Sequence, residues 1–194
     1  MTARPLITIA SGNQTKVAEI EAMLGPLPVE VQKQPNTLIV EETGSTYLEN
    51  ALLKAKAAAK ITNSWTIADD SGLEVDLLDG APGIYSARFA TNNEQKIKKI
   101  LDELGQSPYR SAKFRSVMVL CDPKGNHIKD SEGICWGEIL KEPAYPNGEF
   151  ESLLWVREAK CTYGELNQQQ LSRLGSRGKA ARALAPFLRK ELGI

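Results

Sequence analysis

Leu6-Ile7-Thr8-Ile9-Ala10, followed by Ser11-Gly12-Asn13-Gln14-Thr15-Lys16, is the stretch whose reading decides the fold class. The first five residues form an apolar, β-branched run of the kind that fills a buried strand. Ser11-Gly12-Asn13 breaks that run. From Lys16 onward Val17, Ile20 and Leu24 recur at helical spacing, until Gly25-Pro26 ends the pattern. The opening therefore reads strand, small-residue loop, helix.

The same alternation continues along the chain. Residues 29–31 and 38–40 are short strand candidates around Pro35-Asn36. Thr46-Tyr47-Leu48-Glu49 has the spacing of a capping box, and the Ala- and Lys-rich stretch to Lys60 is strongly helix-forming. Trp65-Thr66-Ile67-Ala68 reads as a strand that runs into Asp69-Asp70-Ser71-Gly72, with an imperfect strand pattern from Leu73 to Leu78. Gly80-Ala81-Pro82-Gly83 is a rigid loop. Ile97, Ile100, Leu101 and Leu104 define an amphipathic helix that stops at Gly105. Residues 112–121 and 134–140 flank a turn at Asp122-Pro123-Lys124-Gly125-Asn126-His127 and read as a long antiparallel hairpin. Residues 153–156 form another strand candidate. A last helix over 177–192 contains Pro186, which should kink it or restart it. Alternating elements followed by a long hairpin imply an α/β or mixed α+β fold. A hinge between lobes is expected near residues 80–112.

Composition narrows the function classes. The chain has 194 residues, enough to bury roughly 70% of its unfolded surface in a real core. Lys plus Arg number 24 and Asp plus Glu number 24, so the excess basic charge of a general nucleic-acid binder is missing and no nucleic-acid partner is expected. Cys121, Cys135 and Cys161 form no CxxC pair, which disfavours a zinc ribbon and fits reduced thiols. The single histidine, His127, sits in a turn, so a His-rich metal site is impossible and a Ser-His-Asp triad is disfavoured. Catalysis must run on carboxylates, lysines, arginines and a hard metal. No run approaches the roughly 18 apolar residues of a membrane helix, and the stretch after Met1-Thr2-Ala3-Arg4-Pro5 is too short for a signal peptide. A cytoplasmic protein with no membrane partner is the expectation.

Two clusters carry the chemistry. In Ser11-Gly12-Asn13-Gln14-Thr15-Lys16, small residues before a helix N-terminus would let backbone amides face an anion, with Lys16 as a point charge on phosphates. The competing reading is an ordinary turn in which Asn13 caps the helix. The spacing is not that of a Walker A loop. Glu41-Glu42 and Asp69-Asp70 are acidic pairs at element ends, where magnesium commonly finds carboxylates while also contacting substrate phosphates. Solvated charge and capping by Asp70 are the alternative. Carboxylates directly after an apolar strand are costly, and that favours a function.

The residues resemble the inosine triphosphate pyrophosphatase family. Ser11-Gly12-Asn13-x-x-Lys16, Glu41-Glu42-Thr43-Gly44, Glu49-Asn50-Ala51-x-x-Lys54-Ala55, Ala68-Asp69-Asp70-Ser71-Gly72-Leu73 and Gly80-Ala81-Pro82-Gly83-Ile84-Tyr85-Ser86-Ala87-Arg88 recur in order. Weaker matches continue at Trp136-Gly137-Glu138-Ile139 and Ser176-Arg177-Gly178-Lys179-Ala180. The resemblance implies one bilobed pyrophosphatase domain over 1–194, with an elongated mixed sheet dividing two α/β lobes and a nucleotide cleft between them, and it implies a homodimer. It implies hydrolysis of ITP, dITP and XTP to the monophosphate and pyrophosphate by attack of water on the α-phosphorus. Carried over by position, Ser11, Gly12, Asn13, Gln14, Thr15 and Lys16 cradle and neutralise phosphates, and Lys16 is also catalytic. Glu42 and Asp70 hold Mg2+, with Asp70 as the catalytic carboxylate and Asp69 as its rival for that role. Ser71 contacts substrate and Arg177 reaches the nucleotide.

The second half departs from the family pattern. Where the family carries Phe-Gly-aromatic-Asp-Pro, this chain has Gly148-Glu149-Phe150-Glu151-Ser152, so the leading aromatic that stacks on the base is missing. In that register Phe150 and Glu151 replace the second aromatic and the Asp; a one-frame shift makes Phe150 the stacking ring. The family's Ser-His-Arg becomes Gly175-Ser176-Arg177, and a lysine six residues before the arginine becomes Leu171. Phe150, Glu151, Ser176 and Arg177 are the base-side candidates. Relaxed or shifted base preference is one alternative to the family activity, and a nucleotide-binding relative without turnover is another.

Overall fold

The computed structural model describes residues 4–194, and the first three residues of the leader reading lie outside it. In chain order the elements are β1 (Leu6–Ile9), α1 (Gln14–Leu24), β2 (Glu30–Lys33), α2 (Tyr47–Thr62), β3 (Trp65–Val75), α3 (Asn93–Leu104), β4 (Ser111–Cys121), β5 (His127–Ile139), β6 (Leu154–Val156), β7 (Cys161–Thr162), α4 (Gln168–Leu174) and α5 (Ser176–Leu192). They give a mixed α/β protein with a seven-stranded sheet in the order β2-β1-β3-β4-β5-β6-β7. The pairs β1–β2 and β1–β3 are parallel, with Ile7 opposite Val31 and Trp65, whereas β5–β6 and β6–β7 are antiparallel.

The chain divides into two compact units: residues 1–70, 116–133 and 177–194 in one, residues 71–115 and 134–176 in the other. The boundaries fall inside β3, β4 and β5 and before Arg177, not in the 80–112 stretch where a hinge was expected. Pairing hydrogen bonds along a strand do not depend on which unit its residues join, so a strand can pass from one to the other.

In the first unit the strands obey the two-residue alternation of side chains. Ile7, Ile9, Ile67, Met118 and Leu120 point to one face and pack with Ile20 and Leu24 of α1 and Leu184 and Leu188 of α5. Ala10, Ala68, Val119 and Cys121 point to the other and meet Ala51, Ala55 and Ala58 of α2. The alanines recur at helical spacing, so α2 lies close against the sheet. Each fully buried Ile or Leu contributes about 1.5–3 kcal/mol. The second unit is built around Leu73, Val75, Ile100, Leu104, Ile139, Phe150, Leu153 and Leu154.

Local signals behave as their chemistry requires. Thr46 Oγ1 accepts the Glu49 amide at the start of α2, and Gly105 follows α3 with φ 49°. Residues 38–40 form no strand, and Ile39 is 91% exposed with nothing to pair against. Pro186 lies inside α5 without ending it, because buried Leu184 and Leu188 on either side hold the helix through tertiary contact. Asp69-Asp70 does not close its strand: β3 continues to Val75. Among the described residues no helix is long and apolar enough to cross a membrane, and the three cysteines are free.

Candidate active site

The alternation that builds the sheet also sorts the acidic pair. Asp69 shares its face with Ile67 and points toward α1 and α5; Asp70 shares its face with Ala68 and points toward α2. Two adjacent carboxylates thus serve two clusters.

Asp69 is fully buried, and its Oδ2 accepts a hydrogen bond from Arg177 Nε at 3.1 Å while lying 3.6 Å from Lys16 Nζ. The Nη1 of Arg177 reaches Glu19 on α1, three residues beyond Lys16. Burial on its own would raise the Asp69 pKa, but the charges of Lys16, Arg177 and Lys54 outweigh it and hold the carboxyl below its ordinary range. Burial pushes the Lys16 ammonium down, Asp69 opposes that, and Arg177 adds to it. The Lys16 side chain keeps 21% exposure, a way out from an otherwise closed cluster.

Asp70 faces a second cluster. Asn50 Nδ2 donates to its Oδ2 at 3.1 Å, and Lys54 Nζ lies 3.6 Å from its Oδ1 and 2.6 Å from Glu42 Oε1. Asn50 and Lys54 are one helical turn apart on α2, which aims both at the same strand position. The Asn50 carboxamide oxygen accepts the Gly44 amide at 2.8 Å and so ties down the loop that carries Glu42. Only glycine fits at 44, since a Cβ there would stand 2.6 Å from that of Glu49 and 2.7 Å from Asn50 Oδ1. Burial raises the Asp70 pKa; Lys54 pulls it back and Glu42 pushes it further up. The opposite balance holds for Lys54, where burial is outweighed by Asp70, Asp69 and Glu42 and the pKa is raised. The cluster is a lysine ammonium clasped by two carboxylates, one of them with a raised pKa.

These residues fit a hard divalent cation. Glu42 and Asp70 present carboxylate oxygens to one point that already attracts a positive charge, and Asp69 Oδ1 is buried with no hydrogen-bond partner among the described residues. No group of three His, Cys, Asp or Glu side chains gathers to hold a metal among those residues. Two carboxylates complemented by substrate phosphates and water is the usual magnesium arrangement.

The loop before α1 resolves both of its readings. Asn13 Oδ1 accepts the amides of Thr15 (2.9 Å) and Lys16 (3.1 Å), so Asn13 is the helix cap and those two amides are not aimed outward. Ser11 Oγ accepts the Asn13 amide, and Gln14 Oε1 accepts from Lys33. Gly12 has open space where a Cβ would stand, and residues 12–15 are exposed. Any anion here meets Lys16 and a helix N-terminus with part of its donors already used.

The base-side candidates fare differently. Phe150 is 2% exposed in the core of the second unit, with the Phe89 ring 6.2 Å away and Lys96 Nζ 5.9 Å from its centre. The ring is enclosed as a packed core residue, and a stacking role for Phe150 would need one of its faces to be uncovered. Glu151 is half-buried and accepts the Glu149 amide at 3.0 Å. Ser176 is 2% exposed, its hydroxyl 3.5 Å from the Tyr163 phenol. Ser71 follows Asp70 on β3 and is half-buried. Arg177, expected to reach the nucleotide, is 8% exposed and pairs with Asp69 and Glu19.

The sequence assigns no role to Glu19, and it marks Asn50 and Lys54 only as members of a family motif. The i, i+4 spacing of Asn50 and Lys54 on a helix whose packed face is alanine was the available signal for two of them.

Similarity to known proteins identifies the family. The dITP/XTP pyrophosphatase of Synechococcus sp. (strain CC9311) is 42% identical over 193 residues, covering 99% of this chain and 93% of that protein. That of Synechocystis sp. (strain ATCC 27184 / PCC 6803 / Kazusa) is 42% identical over 177 residues, 91% of each chain. Among solved structures, a HAM1 protein from Coxiella burnetii superposes with a TM-score of 0.85 at 34% identity, covering 96% of this chain and 99% of that one. The Staphylococcus aureus Ham1 protein gives 0.82 at 37%, with the same coverage. With its residues 7–187 matching the family pattern as well, this chain belongs to the Ham1 family.

Proposed function

We propose that the chain is a dITP/XTP pyrophosphatase, hydrolysing ITP, dITP and XTP to the monophosphate and pyrophosphate and so clearing them from the nucleotide pool. The observation that carries this reading is the Lys54 ammonium held between Glu42 and Asp70, one strand position from the Asp69–Lys16–Arg177 cluster. A site that only bound phosphates would be opposed by this many carboxylates, whereas a metal-dependent hydrolase needs them.

In this reading Lys16 reaches the phosphates through its exposed end and is neutralised at rest by Asp69. Asp70 accepts the proton of the water that attacks the α-phosphorus, and pyrophosphate leaves. Glu42 and Asp70 would hold Mg2+, which when bound neutralises charge on the phosphoryl oxygens. Lys54 and Asn50 orient both carboxylates. Ser11, Gly12, Asn13, Gln14 and Thr15 supply the exposed rim beside Lys16, and Ser71 is proposed as a substrate contact. The strands β3, β4 and β5, each with residues in both units, support treating 1–194 as one pyrophosphatase domain. Three free thiols support a cytoplasmic setting, and a homodimer is expected from the family resemblance.

Relaxed base preference is the second reading, favoured by Phe150 and Ser176 being enclosed and by Gly148 standing where the stacking aromatic is absent. One assay tests both. ITP, dITP, XTP, GTP and ATP are supplied with magnesium, and pyrophosphate and inorganic phosphate are scored separately. Pyrophosphate should appear in step with monophosphate and stop when EDTA is added. Inorganic phosphate as the first product of ITP overturns the assignment. An ITP-to-GTP ratio of kcat/KM in the thousands overturns the relaxed preference.

A further inference from the structure

The interface of α1, α5 and β3 has two layers in the first unit. The upper one is the ion cluster of Lys16, Asp69 and Arg177. Moving one helical turn along α1 and α5, and two residues along β3, leads to Ile20, Ala181 and Ile67. At this level the packing is incomplete, and a cavity of about 160 Å3 opens, with Ile20, Leu24, Ile67, Met118 and Leu184 in its wall and Arg189 among its lining residues. A void of about 150 Å3 walled by aliphatic side chains takes up a benzene-sized apolar molecule and rejects water. That size excludes a nucleotide or a peptide and admits a body of about six carbons.

The one charged member of the lining fixes the other end of the ligand. Arg189 is exposed on the last turn of α5, and its guanidinium makes no ion pair or hydrogen bond among the described residues. A planar guanidinium of this kind pairs two-pronged with a carboxylate. We propose that this cavity is a binding site for a compact apolar monocarboxylate, its tail of about six carbons against Ile20, Leu24, Met118 and Leu184 and its carboxylate on Arg189. The site is separate from the phosphate cluster and independent of the pyrophosphatase reading.

Titration calorimetry of the intact chain with sodium hexanoate, hexan-1-ol and sodium acetate tests it. Hexanoate should bind saturably with a Kd on the order of 1 mM, as expected for so few heavy atoms. Hexanol should bind roughly 2–5-fold more weakly, since an exposed ion pair adds little, and acetate should not bind. Arg189→Gln should bring hexanoate down to the level of hexanol. Ala185→Leu, which fills the cavity from α5, should abolish hexanoate binding with the melting temperature kept or raised. Should that variant fail to fold, the exposed Arg189→Gln carries the test. No saturable hexanoate binding, equal binding of acetate, or hexanoate affinity unchanged in Arg189→Gln would each overturn the proposal.

Discussion

Two regions of this molecule hold polar or aromatic side chains that the family resemblance marks for substrate, and they hold them in opposite ways. Around Asp69 and Asp70 the side chains are fixed by charge: Lys16, Arg177 and Lys54 each face a carboxylate, and Asn50 adds a hydrogen bond. Phe150 is fixed by packing, in a core that includes Leu153, Leu154 and Tyr163, and Ser176 is buried beside the Tyr163 phenol. The charged region holds its functional groups against opposite charges and leaves the Lys16 side chain partly exposed. In the packed region Phe150 and Ser176 are enclosed, and the proposed relaxed base preference rests on that enclosure.

The sharpest way to break this comparison is at the acidic pair. Asp70→Asn removes the proposed base and should lower kcat by about 10²–10⁴-fold with the fold intact. Asp69→Asn leaves Lys16 and Arg177 without their shared counter-charge and should cost about 3–5 kcal/mol of stability in a denaturant melt. If the two variants exchanged phenotypes, the assignment of one carboxylate to chemistry and the other to charge balance would be reversed.

Phe150→Ala tests the packed region. Truncating a buried Phe costs about 3–5 kcal/mol of stability, and this should show as a lowered melting temperature with the ITP-to-GTP ratio unmoved. A stable variant with raised KM for every purine would restore the stacking role.

Lys16→Ala comes next. Loss of one preorganised cation should cost about 2–4 kcal/mol in kcat/KM, and by the same factor for ITP, XTP and GTP, because Lys16 meets no base. A loss confined to one nucleotide would contradict it.

The smallest effect is a pH signature. The Thr162 amide (2.8 Å) and hydroxyl (2.7 Å) donate to Glu165 and hold its carboxyl below its ordinary value of 4.5. A folded pKa lower than the unfolded one stabilises above the unfolded value and loses that contribution as pH falls through the folded one. Glu165→Gln should therefore melt slightly earlier than wild type at pH 7, and the gap should close as pH drops below 4.5. A gap that persisted at pH 3 would show that the carboxylate charge is irrelevant there.

Much of the charged region was legible beforehand. Lys16, Glu42 and Asp70 stand in motifs whose residue types already demand a reason, since carboxylates after an apolar strand and a lysine after a small-residue loop are unfavourable ornaments. Their partners were harder to see. Lys54 stands in a quoted motif but reads there without a role, and only the approach of α2 to β3 and to the loop of Glu42 gives it two carboxylates. Glu19 looks like a surface residue until Arg177, 158 positions later, is brought against it. The packed region was hard to read for the complementary reason. An aromatic in a motif position looks like a platform, and whether its face is free depends on Phe89 and α3, neither of which is near it in sequence.

The sequence by itself determined the elements and the chemistry on offer: strand, loop and helix at the start, the cap at Asn13, the alanine face of α2, the acidic pairs and the want of histidine. These follow from short-range rules, such as backbone sterics, helical and strand periodicity, and the pKa range of each side chain. Only the tertiary structure decided how the pair was divided, which cations answered each carboxylate, where the units exchange chain inside β3, β4 and β5, and that Phe150 and Ser176 were enclosed. Those outcomes depend on groups distant in sequence meeting across a packed interface, where a few ångströms separate a neutralised carboxylate from a reactive one. No local pattern encodes that distance.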